Sequence, residues 1–154
     1  MSEMLGNQYF MARNFFAATT ELEEVFEKNL TNKSLKRKLI ICYTQTNDLK
    51  KALLFFKELV DEDIEYIIEA DPIKDDCPCP ELVKELDNPH SSSYFVDKFD
   101  NLVCQGIIWL YCDVTKSYEY FKQAQQLNNQ NQVIDSILEK IENYIIEHQD
   151  NLAC

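Results

Sequence analysis

Apolar and polar positions over the first 64 residues recur at an offset of 34. Leu5 pairs with Leu39, Tyr9 with Tyr43, Phe15 with Leu49, Ala18 with Ala52, Leu22 with Phe56 and Val25 with Leu59. Each copy runs large apolar, aromatic, polar turn, small, large apolar, which predicts two short antiparallel helices packed through an alanine. A fixed period of this length marks stacked supersecondary units. Arg13-Asn14 and Asn47-Asp48 fall between the two apolar stretches, where Asn14 and Asp48 can accept hydrogen bonds from the free N–H groups opening each second helix.

A third, degenerate copy follows later. Asp113 opens a helix carrying Tyr118, Phe121, Ala124 and Leu127, which ends at Asn128-Asn129-Gln130-Asn131. Its partner helix is expected over about Tyr94 to Tyr111, with Phe95, Phe99, Leu102, Val103, Gly106, Ile107 and Leu110 at helical spacing. Ile134, Ile137, Leu138, Ile141, Ile145 and His148 then share one face of a last helix whose other face is charged. A stack of repeats needs such an element to cover its final unit. The expected fold is all-α, a single domain over 1–154 of stacked antiparallel helix pairs. Its parts are repeats at 2–31 and 34–68, an insertion at 69–93, the degenerate copy at 94–128 and a capping helix at 131–149.

The repeated residues resemble the tetratricopeptide repeat (TPR), whose pattern is Leu-Gly-x-x-Tyr in helix A followed by Ala and large apolar residues in helix B. Leu5-Gly6-x-x-Tyr9 matches directly; the second copy has Ile40 where the small residue belongs, and neither copy has the closing Pro, Leu30 and Ile64 standing there. The resemblance implies a short right-handed superhelix, with Gly6 and Ala18 at close helix approaches and Tyr9 between the helices. It also implies a concave groove, lined by the A helices, that binds a peptide or helix of another protein. Carried over by position, that surface holds Glu3, Asn7, Phe10 and Met11 from the first copy and Arg37, Lys38, Ile41, Thr44 and Gln45 from the second. Trp109 and Leu110 join it from the third if the register holds. The subset of the family that grips a chaperone's C-terminal tail uses a Lys and two Asn here; Glu3 and Ile41 occupy two of those places, which disfavours that partner.

All four prolines lie in the insertion, within Asp71-Pro-Ile-Lys-Asp-Asp-Cys-Pro-Cys-Pro and Asn88-Pro89-His90. A short helix is expected at Glu81 to Leu86, with Pro80 in its first turn. Ile64, Tyr66, Ile67 and Ile68 either extend the preceding helix or form a separate one. Low Gly and Pro elsewhere, 2 and 4 in all, argue against a turn-rich β fold.

Net charge is −12, which repels phosphate backbones and anionic lipid, so neither nucleic acid nor membrane is an expected partner. The charge is polarised. Residues 33–57 hold Lys33, Lys36, Arg37, Lys38, Lys50, Lys51 and Lys57 against Asp48 alone, whereas 58–87 hold 12 acidic and 2 basic residues. Arg37 and Lys38 read either as the contact for an acidic partner or as a solvated helix face. The apolar run Ile107–Cys112 is far too short to span a bilayer, and the start of the chain lacks a basic segment followed by an apolar one, so a cytoplasmic protein with reduced thiols is expected.

Cys77-Pro-Cys79 with His90 nearby carries the donor types zinc prefers, but not the usual spacing, and no second Cys pair accompanies it. The plain reading is a kinked acidic loop with small apolar anchors. Cys42, Cys104 and Cys112 read as core packing, Trp109 as core or, if exposed, a contact hot spot. With no nucleophile, phosphate-loop or zincin signature, the chain is expected to be non-enzymatic and to use no cofactor. The expected function is protein binding in the helix A groove. The alternatives are a structural subunit or homodimer contact, and a metal or redox module at Cys77 and Cys79.

Overall fold

Asn and Asp start the helices. Asn14 accepts from the Ala17 N–H, Asn32 from Leu35, Asp48 from Lys51, Asp97 from Asp100, Asp113 from Thr115 and Lys116, and Asn131 from Val133 and Ile134. Each satisfies donors that a helix N-terminus leaves without an intrahelical partner. The resulting elements are α1 (Ser2–Met11), α2 (Phe15–Lys28), α3 (Lys33–Gln45), α4 (Leu49–Ile68), α5 (Cys79–Asp87), α6 (Lys98–Leu110), α7 (Val114–Leu127) and α8 (Gln132–Glu147). The computed structural model describes residues 2–71, 73–75, 77–87 and 97–148; among these the fold is all-α, with no strand.

The offset of 34 is present in the backbone as well as the sequence. Arg13 (φ 63°) and Asn47 (φ 65°) both take the left-handed conformation that ends a helix. In the same two turns the Asn14 N–H donates to the Tyr9 carbonyl and the Asp48 N–H to the Tyr43 carbonyl, at 2.8 and 3.0 Å. The α6–α7 turn is one residue tighter, with the Asp113 N–H donating to the Trp109 carbonyl at 2.7 Å, and among the described residues no left-handed position accompanies it.

Helices adjacent in sequence pack as hairpins: α1 on α2, α3 on α4 and α6 on α7. These join through α2 on α3 and α4 on α6, and α8 covers both α7 and the end of α4. Leu22, Leu39, Phe56, Ile107, Phe121, Ile134 and Ile141 are fully buried along this path. The Phe56 and Phe121 rings stack at 5.7 Å, tying the second hairpin to the third.

Gly6 and Gly106 occupy matching places, since a Cβ on Gly6 would meet Leu22 at 2.7 Å and one on Gly106 would meet the Phe121 ring at 2.7 Å. That register puts Trp109 where the first two copies have Tyr9 and Tyr43. Trp109 accordingly stacks on Tyr120 of its own hairpin, as Tyr43 packs edge-on against Phe55.

Ile64 to Ile68 extend α4, but past a break at Asp63 (φ −163°, ψ 82°) that redirects the last turns towards α8. The helix expected over 94–111 is α6; Tyr94 and Phe95 lie outside the described residues. The short insertion helix is α5, with Pro80 in its first turn and the Leu82 N–H donating to the Pro78 carbonyl.

Candidate protein-binding face

Hydrogen bonds link α1 to α3 and α3 to the residue after α6. The Lys38 ammonium of α3 donates to Asn7 Oδ1 of α1 at 2.8 Å, and the Tyr111 hydroxyl beyond α6 donates to the Arg37 carbonyl at 2.8 Å. The insertion is fastened to all three. Arg13, in the turn after α1, grips Glu81 of α5 with Nε and Nη2 at 3.1 and 3.0 Å, while its Nη1 donates to the Phe10 carbonyl. Arg37 of α3 pairs with Asp75 at 3.0 Å, and α5 packs along α6.

Arg37 is the pivot. Its Nη1 donates to the Tyr66 carbonyl at 2.8 Å and its guanidinium lies 4.2 Å from the centre of the Tyr66 ring, so it is only 8% exposed. The fork geometry and weak hydration of guanidinium suit such a half-dry site better than an ammonium would. Asp75 completes the anchor from the other side, with its second oxygen accepting from the Asp71 N–H at 2.8 Å. Asp71 in turn accepts from the Ile73 and Lys74 N–H groups, closing a tight loop ahead of the buried Cys77, Pro78 and Leu82. These backbone donors hold the Asp71 carboxyl below its ordinary range, and the hydrogen bond from Arg13 does the same for Glu81.

This geometry corrects several sequence expectations. Phe10, Ile41 and Thr44, assigned to an open groove, are 1%, 2% and 1% exposed, and Arg37 is buried with them. Phe10 packs edge-on against Phe15 beneath the Lys38 ammonium and α3 lies between α2 and α4, while the insertion meets Arg37 through Asp75. Trp109 is buried in its own hairpin beneath the Lys116 ammonium, 4.4 Å from the ring, so neither it nor the fully buried Leu110 serves as a surface contact. The indole N–H has no hydrogen-bond partner and is the sole buried polar side-chain atom in that state among the described residues. Met11 is exposed, Asn7, Lys38 and Gln45 are half-buried at the rim, and the Gln45 amide donates to the Thr44 hydroxyl.

Arg13 was absent from the sequence assignment. Its turn position identifies no partner, and it lies outside the basic stretch 33–57 whose polarity against 58–87 points to Arg37 instead. Most of the basic side chains of α3 meet that acidic stretch: Lys33 pairs with Asp63, Lys36 with Glu58 and Glu62, and Arg37 with Asp75.

Cys77 is buried, while the Cys79 side chain and His90 lie outside the described residues. Among the described residues no three His, Cys, Asp or Glu side chains are grouped to hold a metal ion. Burial pushes the Cys42 and Cys104 thiols up to about 12, so both are protonated and inert at neutral pH. Cys112, expected in the core, is exposed, because the tight α6–α7 turn lifts it out of the apolar face.

A cleft of about 300 Å³ opens where α4 breaks, lined by Asp61, Glu62, Asp63, Glu65, Lys140 and Glu147. Four of those carboxylates are already engaged, Asp61 by Lys57, Glu62 by Lys36, Asp63 by Lys33 and Glu65 by His148. No described helix is long and apolar enough to cross a membrane. No family model, curated protein or solved structure matches the chain.

Proposed function

We propose that this chain is a non-enzymatic protein-binding module, TPR-like in its helical hairpins, that holds a peptide or helix segment of another protein on the α1–α3–α6 face. One observation carries the reading. That face already takes up a peptide-like segment, the described part of the chain's own insertion (73–75 and 77–87), through two arginine–carboxylate pairs and a small set of buried apolar side chains. Arginine forks and apolar anchors of this kind give a surface both orientation and affinity for an incoming chain. Free thiols at Cys42, Cys77, Cys104 and Cys112 fit a reducing compartment such as the cytoplasm.

The test places a photo-crosslinking residue at Gln45, on the rim of the face, or at Glu142, on the exposed side of α8. Capture of the same discrete proteins from Gln45 and not from Glu142, suppressed by excess unlabelled protein, is the expected outcome. Equal capture from both positions, or none from Gln45, overturns the reading.

A second reading has its own observation. Met4 and Met11 of α1 and Phe16 of α2 are 68%, 56% and 72% exposed, large apolar side chains at the first hairpin that suit a fixed subunit or homodimer contact. Sedimentation of wild type against Met4→Glu decides it: a dimer lost in the variant supports it, and a concentration-independent monomer removes its homodimer form.

A further inference from the structure

The segment covering the α1–α3–α6 face carries its own recognition pattern. Its first carboxylate, Asp75, meets the Arg37 guanidinium at 3.0 Å. Two and three residues on, Cys77 and Pro78 are buried, and then Glu81 meets the Arg13 fork with Leu82 buried behind it. The receptor side is built to match. Arg37 is held in place by the Tyr66 carbonyl and ring, and Arg13 by the Phe10 carbonyl, so both guanidinium groups are oriented independently of the carboxylates they meet.

From this we infer that the partner recognised on this face is an acidic segment of another protein with the chemistry of residues 71–87. It carries two carboxylates six residues apart, a small apolar pair including Pro between them, and a Leu directly after the second. The inference rests on the proposed function and names the chemistry of its partner. The chain's own segment is then an internal competitor. It is tethered at both ends, by α4 and α6, so it occupies the face at high effective concentration, and an incoming segment must exchange with it. The outer pair is suited to exchange, because Glu81 is 62% exposed at its side chain and the Arg13–Glu81 contact is open to water and salt. An apparent affinity is reduced by the fraction of molecules whose face is covered, so loosening the internal segment raises the affinity for a partner.

The probe is a fluorescein-labelled peptide of residues 69–87, titrated by anisotropy against the full chain as wild type and as the Asp75→Asn, Glu81→Gln double variant. The peptide is expected to bind the double variant about tenfold more tightly than wild type, and to weaken several-fold as salt rises from about 50 to 300 mM. A peptide carrying Lys at both carboxylate positions is expected to lose about tenfold in affinity for the same variant. Circular dichroism melts show whether the double variant keeps its cooperative transition; if it does not, Glu81→Gln alone, at the exposed pair, takes its place.

Equal binding of the charge-reversed peptide, or no binding to the loosened chain, overturns the inference. A wild-type dimer by light scattering that the peptide dissociates also overturns it, because the occupant is then the same segment of a second copy. The two failures are distinguishable. If proteins captured from Gln45 are not displaced by the 69–87 peptide, the inference falls and the protein-binding reading stands. If the peptide binds as expected but Gln45 captures nothing, the protein-binding reading falls and the inference with it, because the face then serves only the chain's own segment.

Discussion

Leu5 of α1 is 38% exposed, whereas Leu39, at the same place in α3, is fully buried. The same contrast separates Gln8, exposed, from Cys42, buried. The two turns otherwise match in conformation, capping position and backbone hydrogen bonds. What differs is the neighbourhood. α3 lies against α2 and α4 and, through Arg37 and Tyr111, is tied to the insertion and to the end of α6, while α1 packs chiefly on α2. A helical hairpin is thus specified locally, and the burial of its apolar positions is supplied by whatever stacks beside it.

The sharpest test compares Leu39→Ala with Leu5→Ala. Chemical denaturation is expected to show a loss of about 2–5 kcal/mol at Leu39, where a cavity forms, and under about 1 kcal/mol at Leu5, where side-chain surface is already wet. Similar losses at both would mean that α1 is covered on its outer side.

The glycines extend the comparison to the third hairpin. Gly106→Ala drives a Cβ into the fully buried Phe121 ring, itself stacked on Phe56, and is expected to cost about 1–3 kcal/mol. Gly6→Ala meets the fully buried Leu22 at Cδ2 (2.7 Å) and Cγ (2.9 Å), an aliphatic side chain with more rotamer freedom than the Phe121 ring, and relief of the glycine's entropy cost offsets part of the crowding, so a smaller loss of about 1 kcal/mol is expected. Equal losses at the two sites would show that the first hairpin packs as rigidly as the third.

Asn14→Ala and Asp48→Ala probe what the first two hairpins share. Each is expected to cost about 1 kcal/mol, by the same amount within error, because each removes one acceptor from a matching helix start. A clear difference would break the equivalence of the two turns.

The smallest effect concerns the insertion and pH. Arg13 holds the Glu81 carboxyl below its ordinary value, so its contribution is fully present above about pH 5 and is lost as pH falls through the lowered folded value. The pair is largely exposed, so the loss is under about 1 kcal/mol. Hydrogen exchange between pH 5 and 3, corrected for intrinsic rates, should show protection falling over 79–87 before it falls in α3 or α7. The Glu81→Gln variant should remove much of that pH dependence.

Most of the helices were legible in the sequence because their determinants are local. Asn14, Asp48 and Asp113 mark helix starts by their acceptor side chains, and the 34-residue offset marks which helices form hairpins. The Trp109 alternatives could not be separated, because an apolar run such as Ile107–Cys112 has no polar side to show which face is covered. The assignment of Phe10, Ile41 and Thr44 to an open groove failed for a related reason. Periodicity fixes which positions share a helix face, but which neighbouring helices cover that face is set by the stacking of the hairpins.

By itself, then, the sequence determined an all-α chain of repeated hairpins, their turns and the polarity between a basic and an acidic stretch, since capping, periodicity and charge act over a few residues. Only the tertiary structure decided that the acidic stretch returns to the basic one through Arg37–Asp75 and reaches the α1–α2 turn through Arg13–Glu81. Such pairing depends on the relative positions of distant helices, which are set by packing in three dimensions and leave no spacing to read along the chain.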